Sequence, residues 1–299
     1  MTWTTYRVAF RLLSPMHIGW RKLGNMQQTR PYVTGRVLWG AYTARLTREL
    51  RSRDYEGVGE EVDRQLAFTY FYPAISSDPD KPPDPDKVDL WPWGNSREKD
   101  GPEKFSWLFL GSYASTALSD GHSSEEGSLH ETEFIAPFVR TRTPNEEPQP
   151  IYLIGYIFER QKPASNSKYV VNVRQDMLDD LQIGGERSYG WGRVKVHSAK
   201  PLNEDDSKTC FGYKLDCKGN LPEITVPKDG ALLAHTEAES LEVKKVENGT
   251  LEPLVGRETT SPTTFGKVVS KADICWVPGT TITEEKTFQI QPRGIWKQH

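Results

Sequence analysis

Long apolar runs are missing from this 299-residue chain. None approaches the roughly 20 residues that a membrane-spanning helix needs, and the start, Met1-Thr2-Trp3-Thr4-Thr5-Tyr6, lacks the features of a signal peptide. Cysteine is scarce. Cys210, Cys217 and Cys275 are odd in number and have no C-x-x-C spacing, which argues against a disulfide framework and against a structural zinc site. Neither Gly-Lys-Ser nor Gly-Lys-Thr occurs, so no P-loop is present. A Gly-Gly-Asp-Asp motif and the paired histidine and aspartate of HD nucleases are absent too. The expectation is a cytoplasmic protein with reduced cysteines, no membrane association, no metal and no cofactor. Charged residues at 26% and aromatics at 11% leave ample material for one large domain or two small ones.

One stretch concentrates unusual chemistry: Gly184-Gly185-Glu186-Arg187-Ser188-Tyr189-Gly190-Trp191-Gly192-Arg193-Val194-Lys195-Val196. Glycines let backbone N–H groups turn toward a ligand, so such a run can cradle phosphate oxygens. Arg187 and Arg193 can pair with phosphate, and Tyr189 and Trp191 offer ring faces for a base. The same composition also serves a tight turn whose arginines and aromatics simply cover the surface. Before the loop, Asn172 to Leu181 reads as a short amphipathic helix capped by Asn172, with Val173, Met177, Leu178 and Leu181 on one face. After it, Arg193 to His197 alternates as a strand. Helix, glycines, strand is the reverse of a Rossmann fingerprint, which runs strand first.

The net charge of −3 hides an asymmetry. Between His17 and Arg53 stand eight basic residues (Arg21, Lys22, Arg30, Arg36, Arg45, Arg48, Arg51, Arg53) and one acid, Glu49. Local potential, not the sum, governs phosphate binding. A solvated helix face accounts for Arg48, Arg51 and Arg53. It accounts less well for Arg21, Lys22 and Arg30, which fall in a loop.

Tyr6, Val8, Phe10 and Leu12 alternate with polar residues as a strand. A helix is predicted from Thr34 to about Arg51, with further strands at Thr69–Ile75, Phe105–Leu110, Phe134–Arg142 and Ile151–Glu159. The last is almost uniformly apolar, as in a strand covered on both faces. Ser76 to Lys87, rich in proline and aspartate, reads as a mobile loop. The region after Asn203 to Ser207 reads as β-rich, ending in a hairpin of Ile274–Val277 and Phe288–Gln291.

The helix–glycine loop–strand resembles the signature of the RAMP superfamily (repeat-associated mysterious proteins), RNA-binding subunits of CRISPR systems. Two further pieces carry the resemblance. Ser14-Pro15-Met16-His17-Ile18-Gly19 is similar to the family's S-P-L-H-I-G start. Tyr32-Val33-Thr34-Gly35-Arg36-Val37-Leu38-Trp39-Gly40-Ala41 is similar to its Y-I-P-G-S-S-L-x-G-A helix entry, with Thr34 replacing proline and Arg36 replacing serine. The three pieces span the first two-thirds of the chain.

The resemblance implies an α+β, ferredoxin-like (RRM-like) fold over residues 1–200, with an insertion around 76–130. There helices cover one face of an antiparallel sheet, leaving the other face or its loops free to meet RNA. Residues 201–299 would form a β-rich region, a degenerate second ferredoxin-like half. The implied RNA-binding residues are His17, Arg21, Lys22, Arg30, Arg36, Gly184, Gly185, Arg187, Ser188, Tyr189, Gly190, Gly192 and Arg193. No Asp or Glu lies between Met1 and Arg48, so the acid with which backbone subunits of type III complexes cut target RNA has no counterpart. His17 is the single candidate for a catalytic base, as in processing ribonucleases of the family, or else it orients the loop. With 107 residues after Gly192, the arrangement looks more like the cap subunit of type III effector complexes, which grips the 5′ repeat-derived handle of the CRISPR RNA. Its partners would be CRISPR RNA, other subunits and, indirectly, target RNA. A guide-binding backbone subunit, a processing endoribonuclease using His17 and a protein-only scaffold are the alternatives.

Overall fold

The computed structural model describes residues 3–76, 78, 81–87, 101–117, 127–143, 145–162, 167–258 and 268–298. Parts of the predicted insertion, including Pro79, 88–100 and 118–126, lie outside these. In chain order the first two-thirds comprise β1 (Trp3–Leu12), β2 (Gly19–Leu23), β3 (Met26–Thr29), α1 (Gly35–Glu49), α2 (Tyr55–Gln65), β4 (Leu66–Phe68), β5 (Tyr72–Ile75), α3 (Gly101–Phe109), β6 (Leu110–Ser115), β7 (His130–Ile135), β8 (Ile151–Arg160), α4 (Gln175–Leu178) and β9 (Val194–Pro201). None of the described helices is long and apolar enough to cross a membrane.

The central sheet runs β9, β1, β8 and then β4 with β5, every pair antiparallel. With β4 and β5 taken as one interrupted strand, β1–α1–β4/β5 and β8–α4–β9 are interleaved crossovers. That is the split βαβ topology of a ferredoxin-like fold. Alternation in β1 sends Val8, Phe10 and Leu12 toward the helices, where they pack with Leu38, Tyr42 and Leu46 of α1 and Val58 and Val62 of α2.

The other sheet face is not free. It meets a second β layer made of β10 (Thr209–Cys210), β11 (Tyr213–Asp216), β12 (Glu223–Val226), β13 (Thr236–Glu237), β14 (Val246–Asn248), β15 (Leu251–Glu258), β16 (Val268–Trp276), β17 (Thr281–Ile282), β18 (Lys286–Ile290) and β19 (Trp296–Gln298). Eight of these form one sheet in the order β10-β11-β12-β18-β19-β13-β16-β15. Tyr72, Tyr156 and Phe158 share a core with Phe211, Ile224, Leu233 and Trp296. Successive residues of β8 therefore feed opposite cores, Leu153 and Ile157 on the helix side and Tyr156 and Phe158 on the sheet side. This explains the uninterrupted apolar run, as its sequence suggested. It also removes the open sheet face on which an RRM-like domain would stack bases.

Five further expectations change. The strand expected at Phe134–Arg142 is instead β7, His130–Ile135. Phe105–Leu110 is not a strand but the end of α3 and start of β6. Phe105 and Phe109 are one helical turn apart and stack at 4.9 Å, the helical spacing outweighing an apparent alternation. The helix expected from Asn172 shrinks to α4, because Asp179 is extended and Asp180 adopts a positive φ of 56°. Asn172 caps nothing there, and its carbonyl instead accepts a hydrogen bond from Tyr42 at 2.6 Å. Within the Pro/Asp stretch, Asp84 and Asp86 hold Arg7 at 3.1 and 2.9 Å, and Asp86 accepts from the Gly212 amide at 2.8 Å. That portion is pinned to the sheet. Finally, β16 and β18 do not pair with each other: β16 lies between β13 and β15, and β18 between β12 and β19. The described residues after β9 contain no α-helix.

Candidate nucleic-acid interface

The glycine-rich loop and the Ser14–Gly19 segment, far apart in sequence, form one unit. Ile183 and Val194 amides donate to the Gly192 and Leu181 carbonyls (2.8 and 3.0 Å), closing the loop at its base. Its neck is then seated on the N-terminal segment. The amides of Gly192, Gly185 and Arg193 donate to Pro15 O (2.7 Å), His17 O (2.8 Å) and Ser14 Oγ (2.9 Å). Two positions require glycine. Gly184 and Gly192 have φ of +89° and +75°, and a Cβ on either would overlap a carbonyl oxygen, that of His17 and of Ile183 respectively.

The amides expected to cradle phosphate are largely engaged within the protein, inside the loop or with its seat. Those of Gly185, Tyr189, Gly190, Trp191 and Gly192 all donate to protein carbonyls. What the loop presents is side chains. A 3₁₀ turn carries Arg187, Ser188 and Tyr189 to the crest, steadied by the Gln182 amide donating to Arg187 O (2.8 Å) and Trp191 O (3.0 Å). All three are exposed, Tyr189 at 76%. Trp191 turns back and packs edge-on against Phe134 at 5.1 Å. His17 is only 6% exposed beneath the loop. Its Nδ1 lies 2.8 Å from Glu133 O, so Nδ1 carries a proton and donates it there.

Behind the loop lies a cleft of about 860 Å³ between the first βαβ unit and the second β layer. It is lined by Gly184, Gly185 and Arg187 of the loop, Arg36, Trp39 and Thr43 of α1, Glu56 and Glu60 of α2, and Leu254, Arg257 and Arg293 of the second layer. The Arg36 guanidinium lies flat on Gly256, where any Cβ would overlap it. Arg30 also lines the cleft but is 8% exposed and held by Glu252 at 2.5 Å. The same carboxylate takes hydrogen bonds from His235 Nε2 (2.5 Å) and from Trp20 Nε1 (2.9 Å), and Tyr70 bonds His235 Nδ1 (2.6 Å). Burial works to raise the Glu252 pKa, but the His235 bond, the Arg30 charge and the Trp20 bond outweigh it and hold it at about 2. Burial, with the Arg30 charge in support, lowers the pKa of His235 and keeps it neutral. This knot clasps the two β layers together.

Of the residues singled out from sequence, Arg30, Arg36, Gly184, Gly185 and Arg187 therefore converge on one cleft. Arg193 is exposed beside the loop's seat. Arg21 lies over the Trp20 ring at 4.1 Å with its Nε on Gln28 (2.7 Å), and Lys22 is exposed on β2 outside the cleft. Sequence reasoning missed Trp39, Glu56, Glu60, Arg257 and Arg293. The turn Pro292-Arg293-Gly294, with Gly294 at φ +85°, is the kind of signal that marks Arg293.

Residues 9–195 match the model of the RAMP superfamily, from β1 through the glycine-rich loop into β9. No curated protein matches the sequence. Among solved structures, the chain is similar to one in the type III-B Cmr-beta complex bound to cognate target RNA and AMPPnP, at 11% identity and a TM-score of 0.48, covering 92% of this chain and 85% of that one. It is similar to a chain of the Csm3–Csm4 subcomplex of the type III-A CRISPR–Cas interference complex at 13% identity and a TM-score of 0.42, covering 93% and 92%. It is also similar to a CRISPR protein from Archaeoglobus fulgidus at 11% identity and a TM-score of 0.35, covering 95% and 91%.

Proposed function

The chain belongs to the RAMP superfamily, and we propose on that basis that it is a non-catalytic CRISPR RNA-binding subunit of a type III ribonucleoprotein effector complex, gripping the 5′ handle. The observation that carries this reading is the glycine-rich loop locked onto Pro15 and His17, with Arg187, Ser188 and Tyr189 raised at the mouth of an arginine-bearing cleft. A rigid crest with one guanidinium, one hydroxyl and one exposed ring suits a splayed single strand, whose phosphate and base it can hold together. The single-stranded handle is such a strand.

The buried His17 supports a non-catalytic role. A general base must reach the ribose 2′-hydroxyl, and the ring of His17 is committed through Nδ1 to Glu133 and covered by the loop. The backbone carbonyl of the same residue seats Gly185. Two assays test the reading. Crosslinking of the assembled particle should map this chain to handle nucleotides; crosslinks confined to the guide would make it a backbone subunit. Replacing Arg187 and Arg193 by alanine should reduce the log–log salt slope of RNA binding by roughly 0.7 per lost phosphate contact. An unchanged slope would show that neither arginine touches phosphate, and salt-independent binding by the wild type would leave a protein-only scaffold.

A further inference from the structure

A second sheet stands beside the glycine-rich loop: β2, β3, β7 and β6, hydrogen-bonded in that order. Its register places Lys22, Gln27, Thr132 and Tyr113 in one row, one residue from each strand. Residues paired across strands share a face, so these four side chains lie on the same side of the sheet. The row spans three inter-strand spacings, about 14 Å. Tyr113 is 61% exposed at one end and Lys22 is exposed at the other, with Gln27 half-buried and the short Thr132 buried between them. On this face β6 carries Gly111, Tyr113 and Ser115 opposite Phe134, Thr132 and His130, none of them acidic. The carboxylates of β7, Glu131 and Glu133, belong to the reverse face with Ala114 and Ser112. Lys22 has no ion-pair partner among the described residues. The loop is joined to the same face. Gly111 leaves room for the Phe134 ring to lie across it, since a Cβ there would sit 2.7 Å from Phe134 Cζ. Trp191 meets Phe134 at 5.1 Å and Tyr113 at 6.4 Å, edge-on in both contacts. It therefore ties Tyr113 to the crest, two residues along the chain from Tyr189.

We propose that this face is a second platform for single-stranded RNA, continuous with the crest: Tyr113 stacks a base, and Lys22 holds a phosphate, of the segment that runs on from Tyr189. The inference rests on the RNA-binding reading above and extends it from the loop to the neighbouring sheet. An exposed ring offers a stacking face to any base, and an ammonium without a carboxylate partner is available to phosphate. Gln27, between them, brings both a donor and an acceptor to a base edge or a 2′-hydroxyl. A protein partner would want an apolar centre, from which lysine is depleted. This row has a single ring among polar groups.

The test uses the purified full chain and a length series of oligouridines. Wild-type affinity should rise in a second step once the RNA outgrows the crest. Tyr113→Leu should remove that step, weakening long RNA by about five- to hundredfold, the scale of one base stack, and leave short RNA unchanged. Tyr113→Phe, which keeps the ring, should retain it. Lys22→Gln should lower the log–log salt slope by roughly 0.7, for long RNA alone. Both residues are exposed, so the variants are expected to fold, and urea midpoints check this. Wild-type binding of long RNA by Tyr113→Leu and Lys22→Gln, or equal weakening of short and long RNA, overturns the platform and leaves the crest as the RNA site. Normal RNA binding with failure to enter the effector particle would make the face a protein contact and overturn the proposal likewise. Absence of salt-dependent binding by the wild type to any of these RNAs overturns the RNA-binding reading itself, and the platform with it.

Discussion

Gly192→Ala is the sharpest probe of how the loop is held. At φ +75° an alanine meets the left-handed penalty of roughly 1–2 kcal/mol. Its Cβ would also overlap the Ile183 carbonyl oxygen, so the neck must open. Opening it breaks two hydrogen bonds, Gly192 N to Pro15 O (2.7 Å) and Ile183 N to Gly192 O (2.8 Å). At roughly 0.5–1.5 kcal/mol each, these bring the expected loss to about 2–5 kcal/mol. Gly190→Ala is the internal control. Its φ is +80°, but nothing lies within 4 Å of the added Cβ, so only the conformational cost of about 1–2 kcal/mol applies. Urea midpoints at constant m value separate the two. RNA affinity of the folded fraction should fall for Gly192→Ala, because the crest loses its seat, and change less for Gly190→Ala. Equal destabilisation by the two substitutions would refute the claim that Gly192 is required by close backbone approach.

Tyr189→Ala should leave thermal stability unchanged and weaken RNA binding by roughly 1–3 kcal/mol, the value of one base stack; Trp191→Leu, which removes the contact with Phe134, should lower stability and spare affinity. Neither the purified chain nor His17→Ala should cleave precursor or target RNA with or without magnesium, although His17→Ala should destabilise the loop; cleavage lost specifically in that variant would make His17 catalytic. The pKa of His235 is lowered in the fold from 6.5. Its contribution to stability is therefore complete above about pH 6.5 and declines as pH falls below that, where only the unfolded chain takes up the proton. Glu252, at about 2 instead of 4.5, contributes fully above 4.5 and loses its contribution as pH falls toward 2. With allowance for the solvent that still reaches it, this amounts to about 2 kcal/mol. Urea midpoints across the acid range should show both declines, the upper one flattened in His235→Asn.

Much of this was legible in the sequence, for identifiable reasons. β1 and α1 have one polar and one apolar face, so periodicity located them, and β8 announced its double burial by having no polar face at all. The three motifs marked the loop, its seat and the start of α1 because each serves close backbone contact, which leaves glycine, proline and small residues at fixed spacings. Contacts between distant segments left no such trace. The Glu252 clasp joins residues of β15 to Trp20 and Arg30, and nothing local in Leu251–Glu258 distinguishes a buried acceptor from a surface glutamate. The clasp shows why Arg30, read as a phosphate contact, is nearly inaccessible: a basic residue in a glycine-containing loop gives no sign of the carboxylate that packing will bring to it. Glu56 and Glu60 belong to an acidic stretch that gives no sign of the cleft for the same reason.

The second β layer decides where a ligand can go. A split βαβ unit standing alone would offer the face of β1 and β8, with Tyr152 and Tyr156 in the central strand placed where single-stranded RNA stacks on related sheets. Here both rings are buried, and Arg7 on the same face is tied to Asp84 and Asp86. A ligand is left with the loops at one end of the sheet. There the N-terminal unit supplies the crest and part of the cleft lining, while the second layer supplies Leu254, Arg257 and Arg293. Neither half makes the cleft by itself. Loosening the Glu252 clasp should therefore weaken RNA binding even though Glu252 sits behind the cleft wall and not in its mouth. Glu252→Gln, which keeps the shape and removes the charge that balances Arg30, is the variant that separates this geometric coupling from a simple loss of fold: it should reduce affinity while the protein still unfolds in a single cooperative transition.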